Sequence, residues 1–257
     1  MGRKNARPKP WLHNCLILNR AVVPNYDEEY VTHLFDQMGA SYDIVNLISS
    51  FGFSEIWRAQ CVRNLGVHEG AIVADLMAGS GECWKYLRRR IKAKSKIISV
   101  DISSVMCNRQ RQRINKYPDI AVDIRCENAL AMKLPDESVD FVISAFGLKT
   151  FNLKQLSQLA SELMRILRPG GSCSLLEITM PEQRAIRVPY HFYISKLIPM
   201  MGRIFLSDIE CYKMLGVYTE AFGSCARIAH IFRNEGFEVV IKNHFFGCAS
   251  SLVLTKT

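Results

Sequence analysis

In the stretch IVADLMAGSGECW, residues 72–84, two glycines enclose a serine and an acid stands on either side of them. Gly79, Ser80 and Gly81 follow an apolar run; Asp75 lies within that run and Glu82 comes just after the turn. A strand leading through a glycine turn into a helix suits a nucleotide, because the backbone approaches the ligand where no Cβ intervenes. Such a turn serves dinucleotides, phosphates and other nucleosides alike. A pyrophosphate site needs a third small residue for close helix–strand packing, and Trp84 holds that place here. Carboxylates at 75 and 82 repel phosphate and favour a cation. About twenty residues beyond the glycines, Asp101 ends a second apolar run, the position from which an acid accepts hydrogen bonds from ribose hydroxyls. A positively charged nucleoside satisfies all three features, and S-adenosylmethionine, with its sulfonium and ammonium, is such a ligand.

These residues work together only if strand ends converge. IVADLM (72–77), KIISVD (96–101), AVDIRC (121–126), VDFVISAF (139–146) and SCSLLEIT (172–179) are apolar runs of strand length separated by helical segments. The alternation predicts an α/β fold with a mostly parallel sheet of about seven strands and helices on both faces. Leu156, Leu159, Leu163 and Ile166 repeat at helical intervals, and RPGG at 168–171 supplies Pro and Gly stops. Helical spacing also dominates from Tyr30 to Asn64, with Val31, Leu34, Phe35 and Met38 on one stripe. Residues 179–220 lose the sheet rhythm and are rich in aromatics, which predicts a cap after the fifth strand. FEVVIK (237–242) and ASSLVLT (249–255) complete the sheet. The expected organisation is a basic arm over 1–25 and one domain over 26–257, with the cap at 179–220.

The length of 257 residues and an apolar content of 49% suit one large domain with a substantial core. The nine cysteines form no pair with metal-ligand spacing, so a reduced, cytoplasmic protein without zinc is expected, its cysteines serving as small core residues. Net charge is +9, concentrated in the arm and between Lys85 and Lys116, where Asp101 is the one acid. A solvated positive face accounts for this, as does an anionic partner. The arm lacks the apolar core of a secretory signal; being Arg-rich and acid-poor it leaves organellar import open.

Over Val31 to Lys256 the chain resembles the ubiquinone/menaquinone biosynthesis C-methyltransferases, a branch of the class I S-adenosylmethionine-dependent enzymes with a Rossmann-like fold. The likeness rests on YDIVNLISSFGFSEIWR (42–58), DLMAGSGE (75–82), VDIS (100–103), ENALAMKLPDESVDFV (127–142), AFGLK (145–149), LRPGG (167–171), LEITMP (176–181), PYHFYISKLIPMMG (189–202) and DIECYKML (208–215). It implies methyl transfer to a ring carbon of a small apolar quinol or phenol. It further implies cofactor contacts at Asp75, Gly79, Ser80, Gly81, Asp101 and Ile102, with Asn128 and Ala129 beside the adenine and Ala145 where the family has serine. Lys149 and Thr150 replace the family's Arg-Asn, and Val217 and Tyr218 its Glu-Ser; the arginine is implicated there in activating the ring carbon, and a lysine is no equivalent fork. Lys149 and His191 are the catalytic candidates by residue type. Tyr190, Tyr193 and Tyr212 are candidate substrate contacts, with Phe192 and Met200 beside them.

A specialised-metabolite C-, O- or N-methyltransferase with a non-quinone acceptor is the alternative those departures suggest. RNA methylation fits the basic runs, but NPPY, DPPY and cytosine-type PC motifs are missing and the cap is apolar, so nucleic acid is disfavoured as a partner. A non-catalytic scaffold would be expected to have lost Asp75, Gly79, Gly81 or Asp101. No metal is expected, because the thioether leaving group is neutral. Peripheral contact with a membrane and a homodimer are held open.

Overall fold

The computed structural model describes residues 23–38, 50–91, 94–198, 200 and 209–257. The expected arm up to residue 22 lies outside them. Helices α1 (Glu28–Met38) and α2 (Phe53–Arg63) precede a regular alternation: β1 (Ile72–Leu76), α3 (Trp84–Leu87), β2 (Lys96–Asp101), α4 (Ser104–Arg113), β3 (Ala121–Cys126), β4 (Val139–Ala145), α5 (Leu153–Ile166) and β5 (Leu167–Ile178). The chain continues through α6 (Arg184–Phe192), a π-helical turn (Tyr193–Leu197), α7 (Ile209–Phe222), α8 (Cys225–Asn234), β6 (Phe237–His244) and β7 (Ala249–Lys256).

The seven strands lie in the order β3-β2-β1-β4-β5-β7-β6. All neighbours run parallel except β7, which is antiparallel to β5 and β6. The strand order reverses between β1 and β4, and a crevice at the carboxyl ends of the strands is the outcome of such a switch point. β1 and β2 are buried almost throughout, whereas the edge strand β3 is not, as a sheet covered on both faces requires. On one face Leu156, Leu159, Leu163 and Ile166 of α5 pack with Ile228 and Phe232 of α8. On the other, Trp57 and Cys61 of α2 join Trp84, Leu87, Val73 and Ile97. A smaller cluster ties Leu34 of α1 to Tyr218 of α7.

Three local expectations need correction. RPGG does not separate helix from strand: α5 ends at Ile166, Leu167 is already extended, and 168–171 bulge within β5, the register with β4 jumping from Val139↔Leu167 to Phe141↔Ser172. Pro169 denies Arg168 a helical conformation, and Gly171 sits where a Cβ would stand 2.8 Å from the Arg168 carbonyl. The glycine turn does not lead straight into a regular helix either. α3 is a single turn starting at Trp84, and Gly81 (φ +84°) leaves room for that indole, whose Cε2 lies 2.7 Å from where a Cβ would be. The glycine and the large residue have exchanged the packing role that a third small residue plays in a dinucleotide turn. Lastly, Cys126 is exposed, unlike the buried Cys61, Cys83, Cys107, Cys173, Cys225 and Cys248.

Candidate active site

The carboxyl ends of β1, β2 and β4 open into a cavity whose floor includes Met77, Gly79, Asp101, Ile102, Ala129 and Ala145. The tips of β1 and β4 approach so closely that a Cβ on Gly147 would stand 2.5 Å from the Met77 sulfur. Asp101 is held rigidly: one carboxylate oxygen accepts from the Gly79 amide at 2.7 Å and the other from the Ser103 amide at 2.9 Å. Burial pushes its carboxyl up to about 6, against the pull of those amides. Gln110, fully buried on α4, donates to the Gly79 carbonyl at 2.7 Å and so fixes the turn from its other side.

Behind the turn, and outside the cavity lining, lie Asp75, Ser80 and Gly81. Asp75 is 1% exposed; burial, and after it the charges of Glu82 and Asp101, hold its carboxyl well above the ordinary range. The Ser80 hydroxyl donates to Glu82 at 3.3 Å. Asn128 lines the cavity, but its side chain is committed: Oδ1 accepts from Leu130 N at 2.9 Å and Nδ2 donates to Glu28 at 2.7 Å.

The outer wall is made by Tyr26 and by Glu28, Val31, Thr32 and Phe35 of α1. None of the described residues from 179 to 220 lines this cavity. The apolar stripe of α1 was visible in the sequence, but its destination was not, since periodicity marks a buried face without naming what it covers. Arg58, in the quoted run ending EIWR, is a second lining residue that spacing could not single out. The carboxylates of Glu28, Glu82, Asp101 and Glu127 line the cavity together with one cation among the described residues, Arg58. That balance disfavours a phosphate and fits a cationic nucleoside.

The sequence profile of the ubiE/COQ5 methyltransferase family matches residues 24–256. The chain belongs to that family. It is 31% identical to a demethylmenaquinone methyltransferase of Lactiplantibacillus plantarum, over 88% of this chain and 95% of that one. It is 30% identical to a ubiquinone/menaquinone biosynthesis C-methyltransferase of Pseudoalteromonas translucida, over 85% and 87%. Among solved structures, a SAM-dependent methyltransferase from Aquifex aeolicus superposes with a TM-score of 0.56 at 19% identity, over 78% of this chain and 89% of the other, a likeness of fold. The protein is thus an S-adenosylmethionine-dependent methyltransferase of class I architecture.

In this methyltransferase the two catalytic candidates lie away from the cavity lining. Lys149 is buried in the 3₁₀ turn Leu148–Thr150, where its ammonium donates to Glu177 at 2.9 Å and to the Phe146 carbonyl at 2.6 Å. The Lys149 amide donates to the same carboxylate at 3.0 Å. His191 is exposed on α6 and pairs with Glu220 of α7. Tyr190 donates its hydroxyl to the Cys248 carbonyl at 2.9 Å, burial raising its phenol above the usual value. Tyr193 stacks on Phe51, ring centroids 5.8 Å apart. The side chain of Tyr212, on α7, lies outside the described ones. Among the described residues no cluster of metal-ligating side chains occurs, and no helix is long and apolar enough to cross a membrane.

Proposed function

We propose that this enzyme transfers the methyl group to a ring carbon of an electron-rich, quinol-type aromatic. The observation carrying this reading is the similarity, over most of both chains, to enzymes named for demethylmenaquinone and for ubiquinone/menaquinone biosynthesis. The apolar residues Val31, Phe35, Met77 and Phe146, which line the same cavity, support it. When bound, S-adenosylmethionine supplies an electrophilic methyl group on a sulfonium.

In this reading Asp101, with Ile102 beside it, takes the ribose. A carboxylate has about four lone-pair sites, and its two amide bonds leave acceptor capacity. Gly79, Ser80 and Gly81, backed by Asp75, hold the methionyl part. The backbone of Asn128 and Ala129 meets the adenine, with the Asn128 side chain fixing that backbone, and Ala145 closes the floor. Lys149 then acts by holding the Phe146–Thr150 turn through Glu177, and His191 by tying α6 to α7. Tyr193 and Tyr212, with the ring of Tyr190, serve the acceptor. Tyr218, one of the departures from the family pattern, is fully buried with its hydroxyl on the Asn25 carbonyl, so that change is absorbed by packing of the N-terminal segment. Incubation with heavy-methyl cofactor and reduced prenylated quinones should place label on a quinol ring carbon. Label appearing only in non-quinone metabolites of a cell extract overturns the acceptor assignment and selects the specialised-metabolite alternative.

We also propose that the acceptor is met at a lipid surface. Phe245 and Phe246 are 50% and 69% exposed with ring centroids 5.5 Å apart, Phe245 lies 4.4 Å from the Phe53 ring, and Phe51, two residues before Phe53 in the chain, is 76% exposed. Exposed aromatics grouped in this way suit a bilayer interface. Co-flotation with phospholipid vesicles should fall on Phe245→Ser/Phe246→Ser substitution; unchanged flotation removes this face from consideration.

A further inference from the structure

The cavity has a charge arrangement that distinguishes its two ends. Asp101 stands in the middle, at the tip of β2. Beyond it, toward β3, lie Glu127 and the hydrogen-bonded pair Glu28–Asn128. On the other side, at the glycine turn, lie Glu82 and Arg58. Arg58 is 3% exposed although it is a guanidinium, and it is fixed in place: Nη1 donates to Glu55 at 3.1 Å and the group lies over the Phe146 ring, 5.0 Å from its centroid. Phe146 precedes Gly147, which packs against Met77 at the entry to the glycine turn, so a guanidinium over that ring stands at the glycine end of the cavity.

The cofactor carries two cationic groups and one anion, the carboxylate of its methionyl part. In a cavity lined by four carboxylates the cations have several partners, whereas a carboxylate brought in without a cation would be a desolvated charge facing like charges. We propose that Arg58 is the anchor of the methionyl carboxylate, and that with Glu82 on the ammonium it sets which end of the cofactor enters the glycine turn. A planar guanidinium held by Glu55 and Phe146 is pre-organised for a carboxylate in a way a flexible ammonium is not. The inference rests on the cofactor and is independent of the acceptor.

The test compares two nucleosides differing only in that carboxylate: S-adenosylhomocysteine and its decarboxylated analogue, 5′-(3-aminopropylthio)-5′-deoxyadenosine. Calorimetry on the wild-type protein should show the first binding about 10- to 100-fold more tightly. Arg58→Gln should remove most of that preference, weakening S-adenosylhomocysteine while leaving the analogue within about twofold, and Arg58→Lys should fall between them. Equal weakening of both nucleosides by Arg58→Gln makes Arg58 a structural residue and overturns the proposal. So does a wild-type protein that does not distinguish them, a result that stands even if the variants fail to fold. Wild-type protein binding neither nucleoside overturns the cofactor itself, a separate failure.

Discussion

The cofactor cavity and the helical segment after β5 are built on different principles. On the cofactor side, Asp101, Gly79 and Gln110 are joined by bonds between strand tip, turn and helix, every one of them 2.7 Å long, and the charged groups beneath are buried. In the segment after β5, α6 leaves no residue fully buried, only Ile186 and Tyr190 packing partly against the core, its Pro189 sits inside the helix, and its ion pair to α7 is half exposed at both ends. Few buried contacts mean easier local opening. A ligand whose every atom is constant can be served by fixed groups, whereas α6, outside the cavity lining, is under no such constraint. Substitutions should therefore be felt as loss of stability or cofactor affinity on one side, and as little of either on the other.

Four measurements put that contrast to the test. The largest effect is expected at Glu177, whose removal leaves the Lys149 ammonium buried without its carboxylate. Glu177→Ala should lower unfolding free energy by about 3–5 kcal/mol in denaturant titration, and Glu177→Leu/Lys149→Met should recover much of it. Lys149→Ala with unaltered stability would show that the turn is not held from below. Next, Asp101→Asn should weaken S-adenosylhomocysteine by about 100-fold in calorimetry, since it removes a charged acceptor. A change under threefold would move the ribose partner elsewhere.

The same acid predicts a pH dependence. Its carboxyl lies at about 6 in the folded, ligand-free protein against an ordinary 3.8, so above pH 6 the folded state carries an ionised group that burial disfavours. Below pH 4 both states are protonated and that penalty is gone, so the Asp101 contribution makes ligand-free protein more stable as pH falls from 6 to 4. Cofactor binding uses the ionised form and should weaken over that interval as the carboxylate takes up a proton, a pH dependence that Asp101→Asn should lack. A flat affinity profile between pH 4.5 and 7 would refute the assignment. The smallest effect belongs to α6: His191→Ala should change stability by under about 1 kcal/mol and leave cofactor affinity unaltered, as expected of an exposed pair. A large loss of affinity there would mean the two regions are coupled.

Much of this architecture was legible beforehand because strand tips announce themselves. KIISVD and AVDIRC match β2 and β3 residue for residue, and the aspartate ending β2 is the one the turn amides hold. A strand's period and a glycine's freedom act over a few residues and leave a local trace. Partnerships across long separations leave none. Lys149 looked like a base by type, yet it lies against Glu177 in the core; His191 looked like one too, yet it faces outward against Glu220. Residue type states what a group can do, and only its neighbours state what it is placed to do.

The order of strands and helices, the glycine turn with its flanking acids, and membership of a methyl-transferring family are all written in contiguous residues. What the tertiary structure alone decided was that α1 forms the outer wall, that Gly81 yields space to Trp84, and that Arg58 is the single described cation in an acidic cavity. The physical reason is one of range: backbone preference and apolar periodicity act between near neighbours along the chain, whereas a cavity's charge balance comes from groups brought together by burying distant surfaces.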